Sequence, residues 1–291
     1  MNVLETYLSS RSDYFNWFIG QATIESGSLY GNYFWFLAII SIVFFILEIV
    51  IPWRKNQPIF RKDFWLDFFY MYFNFFLFYL ALFAGLGDFS SFFFSRTAHF
   101  LNIDQFTISI IKWPIWIQFG LMLVIQDFTH WNIHRLLHKT PFLWRFHKVH
   151  HSVKQMGFAA HLRFHWMESI IYKSITFIPL FFIGFGIEDF FYLHIFTITW
   201  GHFNHANINI PLGPLKYVFN SPQMHIWHHA KTLPTTHQDG VNFGLTLSIW
   251  DYIFNTKFIP CDGEKIELGF KKDELYPKGF VGQIVDAFRR K

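Results

Sequence analysis

Long apolar and aromatic runs separated by short polar breaks dominate the first two thirds of the chain. Two of them, residues 33–51 and 64–86, carry almost no charge. A membrane-spanning helix needs roughly 20 such residues, so each run predicts a span. A third apolar pattern begins at Pro114 and continues unbroken to Lys139-Thr140-Pro141. It predicts one helix that leaves the membrane near Asp127.

A fourth apolar stretch covers residues 168–187, a tight turn is expected at 184–189, and residues 190–200 return. The returning leg is short, so the pattern permits four or five crossings, and we prefer five. The predicted fold is an all-α polytopic membrane protein with a polar cap. The last part of the chain predicts an amphipathic helix lying on the membrane surface. Its apolar positions are Phe280, Val281, Ile284, Val285 and Phe288.

Composition supports a lipid environment. Hydrophobic residues make up 52% of the chain and charged residues 15%, with 42 Phe and 12 Trp, which is more apolar surface than a soluble protein of this size can bury. The single Cys261 excludes a disulfide framework and a thiolate metal cluster. The net charge of +4 is modest, and no basic stripe indicates a nucleic-acid partner.

Loop charge predicts the orientation of the spans. The loop between the first two runs holds Arg54, Lys55, Arg61 and Lys62, so we expect it to be cytoplasmic. Counting crossings from that loop places every clustered histidine on the cytoplasmic side as well. The chain is therefore expected to be a multi-pass integral membrane protein with a cytoplasmic, His-rich cap.

Histidine clusters are the main chemical signal. They are His134 and His138; His147, His150 and His151; and His225, His228 and His229. The first two residues lie four apart and share a helix face, and the other clusters repeat a His-x-x-His-His spacing. Adjacent histidines point to different sides and can serve two neighbouring ions, and neutral imidazole is the commonest nitrogen ligand. The sequence predicts a site for two metals.

Acidic residues near these clusters are expected to hydrogen-bond the ligating imidazoles and fix their tautomers. The candidates are Asp127, Glu168, Asp239 and Asp251, together with Asn242. For each acidic residue alone, helix capping or a surface ion pair is an equally good interpretation. Whether His130, His161 and His202 join the site stays open.

The motifs resemble those of the fatty acid hydroxylase/sterol desaturase superfamily of membrane-integral oxygenases. The resemblance covers about residues 115–258. In order, the matching segments are His134-Arg-Leu-Leu-His138, Phe146-His147-Lys-Val-His150-His151, Arg163-Phe-His165-x-x-Glu168, His205-Ala-Asn207, Ser221-Pro222-x-x-His225-x-x-His228-His229, Asn242-Phe-Gly244 and Trp250-Asp251-Tyr-Ile-Phe-Asn-Thr256.

This resemblance implies two iron ions, O2 as co-substrate and no catalytic residue beyond the ligands. The implied ligands are His134, His138, His147, His150, His151, His165, His205, His225, His228 and His229. It also implies a lipid substrate (a fatty acyl chain, sterol or ether lipid) that is hydroxylated or desaturated. Electrons would come from a separate donor, cytochrome b5-like, ferredoxin-like or a reduced pterin. The expected division is 1–113 with a lead-in and two spans, 114–258 as the catalytic domain with its membrane hairpin, and 259–291 as a cytoplasmic tail.

The branch within the superfamily stays open. Residues 212–222 resemble the alkylglycerol monooxygenase branch, which uses tetrahydrobiopterin, whereas His165 is shared with the sterol-oxidase branch. Three positions depart from the usual pattern: His130 replaces an aromatic residue, Trp166 a proline and Asn255 a glycine.

Two other classes of function compete with the oxygenase. A zinc carrier or sensor would need ionisable groups near mid-membrane, and Glu48, Asp67 and His194 come nearest to that position. A metal-dependent lipid hydrolase would keep an open metal position for water and would work without O2. The substrate, the carbon attacked and the oligomeric state are not readable from the sequence.

Overall fold

The computed structural model describes residues 32–77, 112–183 and 187–289, with isolated positions before residue 24 and between 96 and 110. Within these ranges the regular structure is helical, and β structure is limited to three isolated bridges. This confirms the all-α prediction. The expected end of the second span beyond residue 77, the connector at 88–105 and the turn at 184–186 lie outside the described residues.

Helices of very different length follow one another along the described chain. They are α1 (Tyr33–Val50), α2 (Phe64–Tyr72), α3 (Ile115–Lys139), α4 (Pro141–His151), α5 (Trp166–Ile183), α6 (Ile187–His205), α7 (Pro222–His228), α8 (Ile249–Ile253) and α9 (Phe280–Asp286). A π-helical turn, Phe73–Leu77, continues α2. Short 3-10 helices occur at Phe158–Leu162, Gly213–Tyr217, Thr235–His237 and Asp273–Leu275.

Helix α1 is, among the residues that the structure describes, the one helix long and apolar enough to cross a membrane. The Asn32 side-chain oxygen caps its start by accepting a hydrogen bond from the Trp35 amide at 3.0 Å. Its end at Val50 precedes Pro52 by two residues, and a helix rarely runs into a proline. The larger number of spans expected from the sequence stays a prediction.

A sharp corner between α3 and α4 brings the first two histidine clusters together. Thr140 is extended, as the residue before a proline usually is. Pro141 occupies the first turn of α4, where its missing N–H costs nothing. The two helices then pack against each other, so that the ring of His138 lies 4.9 Å from that of His147. The helix end predicted at Lys139 is where the structure has it.

Two apolar clusters support this arrangement. One joins α1, α2, the 158–162 turn and α6 through residues such as Leu37, Met71 and Phe158. A second surrounds Trp53 and Trp227. Together they fix the helices that carry the histidines.

The C-terminal helix differs from the expected surface helix in how its apolar residues divide. Phe280 and Ile284 pack against a buried cluster that contains Tyr70, because they follow each other at helical spacing on the inner face. Val281 and Val285 remain exposed, at 70% and 44%. Only part of the predicted apolar face is therefore available to a membrane.

Candidate metal centre

Nine histidines from four helices and their ends converge into two groups. Group 1 consists of His134, His138, His147, His151 and His228, and group 2 of His150, His205, His225 and His229. Within each group the candidate ligand nitrogens all lie within 4.8 Å of one another. All nine rings are buried except that of His138, which is half-buried. The groups adjoin, since the rings of His151 and His229 stack with centroids 4.5 Å apart.

Each His-x-x-His-His segment serves both groups. On α4, His147 and His151 enter group 1 while His150 enters group 2. At α7 the division is reversed, with His228 in group 1 and the other two histidines in group 2. Residues four apart, such as His147 and His151, share a helix face, whereas His150 points in another direction. One short helix therefore contributes histidines to both groups.

Five histidines donate their Nδ1–H to an oxygen outside the groups. Four of the acceptors are backbone carbonyls: Phe243 for His134 (2.8 Å), Arg163 for His150 (3.1 Å), Gly201 for His205 (2.7 Å) and Val241 for His228 (2.7 Å). The fifth is the Glu168 carboxylate, which accepts from His147 at 2.7 Å. A carbonyl can only accept, so the four carbonyl bonds fix the tautomer and leave the Nε2 lone pair facing inward. Burial raises the pKa of Glu168 to about 8, so His147 has the same tautomer when a nearby cation keeps Glu168 ionised.

These tautomers make lone pairs face each other in both groups. In group 1 the Nε2 atoms of His134 and His147 are 3.1 Å apart, and in group 2 those of His150 and His205 are 3.2 Å apart. In group 2 neither nitrogen of the pair has a proton to share, so that contact is repulsive unless a cation lies between the two atoms. The same holds in group 1 when Glu168 is ionised. Imidazole nitrogens bound to one ion at about 2.1 Å are separated by about 3.0–3.4 Å. The geometry therefore fits one metal ion in each group.

A proton does not readily replace the cation. Burial lowers the pKa of His134 to about 4 and that of His150 to about 3, because charging a buried ring costs desolvation energy. The rings are thus neutral at pH 7, which is the form that binds metals. The buried Nε2 atoms of His138 and His228 also have no hydrogen-bond partner among the described residues, as expected of atoms that await an ion.

The residues expected to hydrogen-bond the imidazoles differ in how they relate to the centre. Glu168 bonds to His147 directly. Asp251 acts through the backbone, because it accepts from the amide of Phe243, whose carbonyl accepts from His134. Asp127 accepts from the amides of residues 246–247, which bond to none of the clustered histidines. Asn242, between two of the accepting carbonyls, has a left-handed φ of 52°. Asp239 lies on the surface, 70% exposed, opposite Lys139 at 3.9 Å, and does not contact the centre.

The structure does not bring His165 into either group. Its Nδ1 accepts from the Met167 amide at 3.1 Å, and its Nε2 lies 3.2 Å from the Ile284 carbonyl. The 3-10 turn before it directs the Arg163 carbonyl, rather than the His165 ring, toward group 2. The neighbouring Glu168 reaches the centre because it lies at the start of α5.

Three histidines left open by the sequence also lie outside both groups. His130 packs against Tyr172 with ring centroids 5.0 Å apart. His161 and His202 pair with each other through their Nδ1 atoms at 3.1 Å. The ring of His161 also lies 5.3 Å from that of His205, which makes this pair a neighbour of group 2.

A buried ion pair holds the backbone that orients His150. The Arg163 guanidinium, 1% exposed, donates to Asp67 at 2.9 Å and to the Ser152 hydroxyl at 2.8 Å. Arg61 pairs with the same carboxylate. Asp67 on α2 thus anchors the residue whose carbonyl accepts from His150, a link between the second helix and group 2.

Sequence reasoning missed this anchoring role and all four accepting carbonyls. Backbone acceptors leave no trace in residue type, so no signal could have identified them. For Asp67 a signal exists, since a carboxylate within an aromatic, uncharged run is costly unless it has a partner.

Residues 119–256 match the family model described as fatty acid hydroxylase. Ornithine lipid hydroxylase of Rhizobium tropici is 33% identical over 180 residues, which cover 62% of this chain and 53% of that protein. Alkylglycerol monooxygenase of Xenopus tropicalis is 26% identical over 241 residues, 78% of this chain and 47% of that protein.

A third relative is methylsterol monooxygenase 1 of Danio rerio, 28% identical over 218 residues, or 70% of this chain and 63% of that protein. The chain spans about half the length of the first two relatives. No solved structure matches the chain.

Proposed function

We propose that this chain, whose residues 119–256 match the fatty acid hydroxylase family model, is a membrane-bound oxygenase that uses O2 to oxidise an unactivated C–H bond of a lipid. The observation that carries the proposal is the pair of facing Nε2 lone pairs in each histidine group. It favours two ions rather than one, with iron the best match to imidazole ligands and O2 chemistry. Hydroxylation is the outcome that the names of the relatives favour, and desaturation is the alternative.

The histidines, their hydrogen-bond acceptors and the apolar helices have different roles in this proposal. Group 1 would hold one ion through five nitrogens and group 2 the other through four. When bound, iron supplies the activation of O2 and accepts electrons from a separate donor. Glu168 and the four carbonyls keep the imidazoles in one tautomer, and the apolar helices exclude water and hold a lipid carbon near the metals.

The membrane arrangement is part of the same proposal. Four or five spans would carry the centre at the cytoplasmic surface, which is supported by the basic loop after α1 and by the open apolar surface of that helix. A soluble electron donor could then reach the ions while the substrate approaches from the bilayer. Tetrahydrobiopterin is one candidate donor.

Oxygen labelling tests the proposal against its rivals. The detergent-purified chain, loaded anaerobically with Fe(II) and given a chemical reductant and a total lipid extract, should place oxygen from 18O2 into a lipid product. A hydrolase would instead take label from H2 18O and work without O2. A zinc carrier would give no labelled lipid, and less than one iron per chain with oxidation intact would contradict the two-ion site.

Replacing Glu168 with Gln should weaken metal binding about 10–100-fold. The amide keeps the size of the side chain but loses the charge that strengthens the hydrogen bond from His147. The dissociation constant can be measured by competition with a chelator of known affinity. Asp239→Asn is the control, because Asp239 lies on the surface, and equal affinity of wild type and Glu168→Gln would contradict the role of Glu168.

Metal retention should persist below the pH at which free imidazole is protonated. A depressed pKa keeps a ring neutral to lower pH, and His134 stays neutral to about pH 4 against about 6.5 for an exposed histidine. Metal content after dialysis at pH 7.5, 6.5 and 5.5 should therefore change little. Half-release near pH 6.5 would indicate that the ligands are solvated rather than buried.

A further inference from the structure

A small cavity lies at the C-terminal end of α1, apart from both histidine groups. It has a volume of about 170 Å³ and none of the nine clustered histidines lines it. Its walls are the last turns of α1, the loop that follows, and the segment just after α6. The residues that line it include Glu48, Ile49, Lys55 and Asn207.

The carboxylate of Glu48 is held at this cavity by backbone groups. Its Oε1 accepts from the amides of Phe158 and Asn207, each at 2.8 Å. Of the two nearby arginines, Arg54 donates to the Met156 carbonyl and to Asn207, and Arg61 pairs with Asp67. No cation among the described residues lies within ion-pair distance of Glu48, so its charge is available to a ligand.

The cavity is too small for a whole lipid and large enough for a headgroup. At about 30 Å³ per water it has room for five or six waters, below the roughly 300–1,000 Å³ of pockets that enclose a drug-sized molecule. Lys55 lines the same cavity and is exposed. A carboxylate and an ammonium in one small cavity match a ligand that carries both charges.

An uncovered apolar stripe leads from the cavity along α1. Ile39, Ile42, Ile46 and Ile49 recur at helical spacing and are 44–58% exposed. Ile49 also lines the cavity. Since α1 is proposed to cross the bilayer, its last turn lies at headgroup depth and the stripe faces the acyl chains.

We infer that this cavity binds the headgroup of a membrane lipid that bears a primary amine beside an anionic group. The ammonium would lie against Glu48, the phosphate or carboxylate against Lys55, and one acyl chain along the isoleucine stripe. The bound lipid would also contact Asn207, two residues after His205. The site does not depend on the oxidation chemistry.

Glu48→Gln provides the test, because the Gln oxygen can keep both backbone hydrogen bonds while the charge is lost. Lipid binding is measured by native mass spectrometry of the purified full chain with phosphatidylethanolamine or with phosphatidylglycerol, which lacks the amine. Wild type should prefer the first by at least about tenfold, and Glu48→Gln should remove that preference. Glu274→Gln, an exposed and otherwise matched change, should leave it intact.

Two further arms complete the experiment. Lys55 is exposed, so Lys55→Gln should fold normally and should weaken the binding of both lipids severalfold. This variant serves as the test if Glu48→Gln does not fold. Glycerophosphoethanolamine, the headgroup without chains, should compete poorly because it cannot use the stripe. Equal binding of the two lipids by wild type, or unchanged phosphatidylethanolamine binding in the folded Glu48→Gln or in Lys55→Gln, would overturn the inference.

Discussion

His150→Ala should abolish lipid oxidation and reduce the metal content from about two ions per chain to about one. His150 is one of the four histidines of group 2, and its Nε2 faces the Nε2 of His205 at 3.2 Å. Loss of a hydrogen-bonding partner of a ligand already costs about 10–100-fold in metal affinity or activity, so loss of the ligand itself should exceed 100-fold. Metal analysis and 18O incorporation measure the two effects.

Two matched histidine variants make the result interpretable. His138→Ala should be milder, since group 1 retains four ligands and His138 is half-buried. His165→Ala should keep both ions, because its nitrogens bond to backbone groups outside the centre. Two ions in His150→Ala, or one in His165→Ala, would contradict the ligand assignment.

Asp67→Asn should destabilise the protein by about 3–5 kcal/mol, the usual cost of removing one partner from a buried ion pair. The carboxylate is fully buried and serves both Arg61 and Arg163. In the variant, Arg61 would lose its carboxylate partner, and Arg163 would keep only Asp63, at 3.4 Å. The thermal unfolding midpoint in detergent should fall by on the order of 10 °C. Group 2 should also bind metal more weakly, because the Arg163 carbonyl that orients His150 becomes less well fixed.

The same Asp-to-Asn change at the surface is the control. Asp239 forms an exposed pair with Lys139 at 3.9 Å, and exposed pairs contribute little. Asp239→Asn should leave both the unfolding midpoint and the metal affinity unchanged. If Asp67→Asn behaved in the same way, the ion pair would have no part in orienting His150.

The sequence predicted the elements whose spacing alone determines their geometry. The adjacent histidines of each cluster were enough to predict two neighbouring sites, and Thr140-Pro141 was enough to end α3 at Lys139. Spacing did not predict where the His165 side chain points, because the turn at 158–162 sets the path of the backbone there. Tertiary contacts across the chain, such as those of α9 on α2, carry no periodic signal.

The acidic residues expected to hydrogen-bond the imidazoles show the same limit. Glu168 and Asp239 are both carboxylates near a histidine cluster in sequence, yet one accepts from His147 and the other faces solvent. Burial distinguishes them, and burial depends on how α5 packs. The number of spans is likewise set by segments whose composition permits more than one depth in the bilayer.

The interleaving of the two histidine groups has a consequence for how the centre fills. Since α4 and α7 each contribute to both groups, the first ion to bind restrains histidine rings on the same two helices that the second ion needs. That ion bears the entropic cost for both, which is the condition for positive cooperativity. At substoichiometric iron, doubly loaded chains should coexist with empty ones, and half-loaded molecules should be scarce.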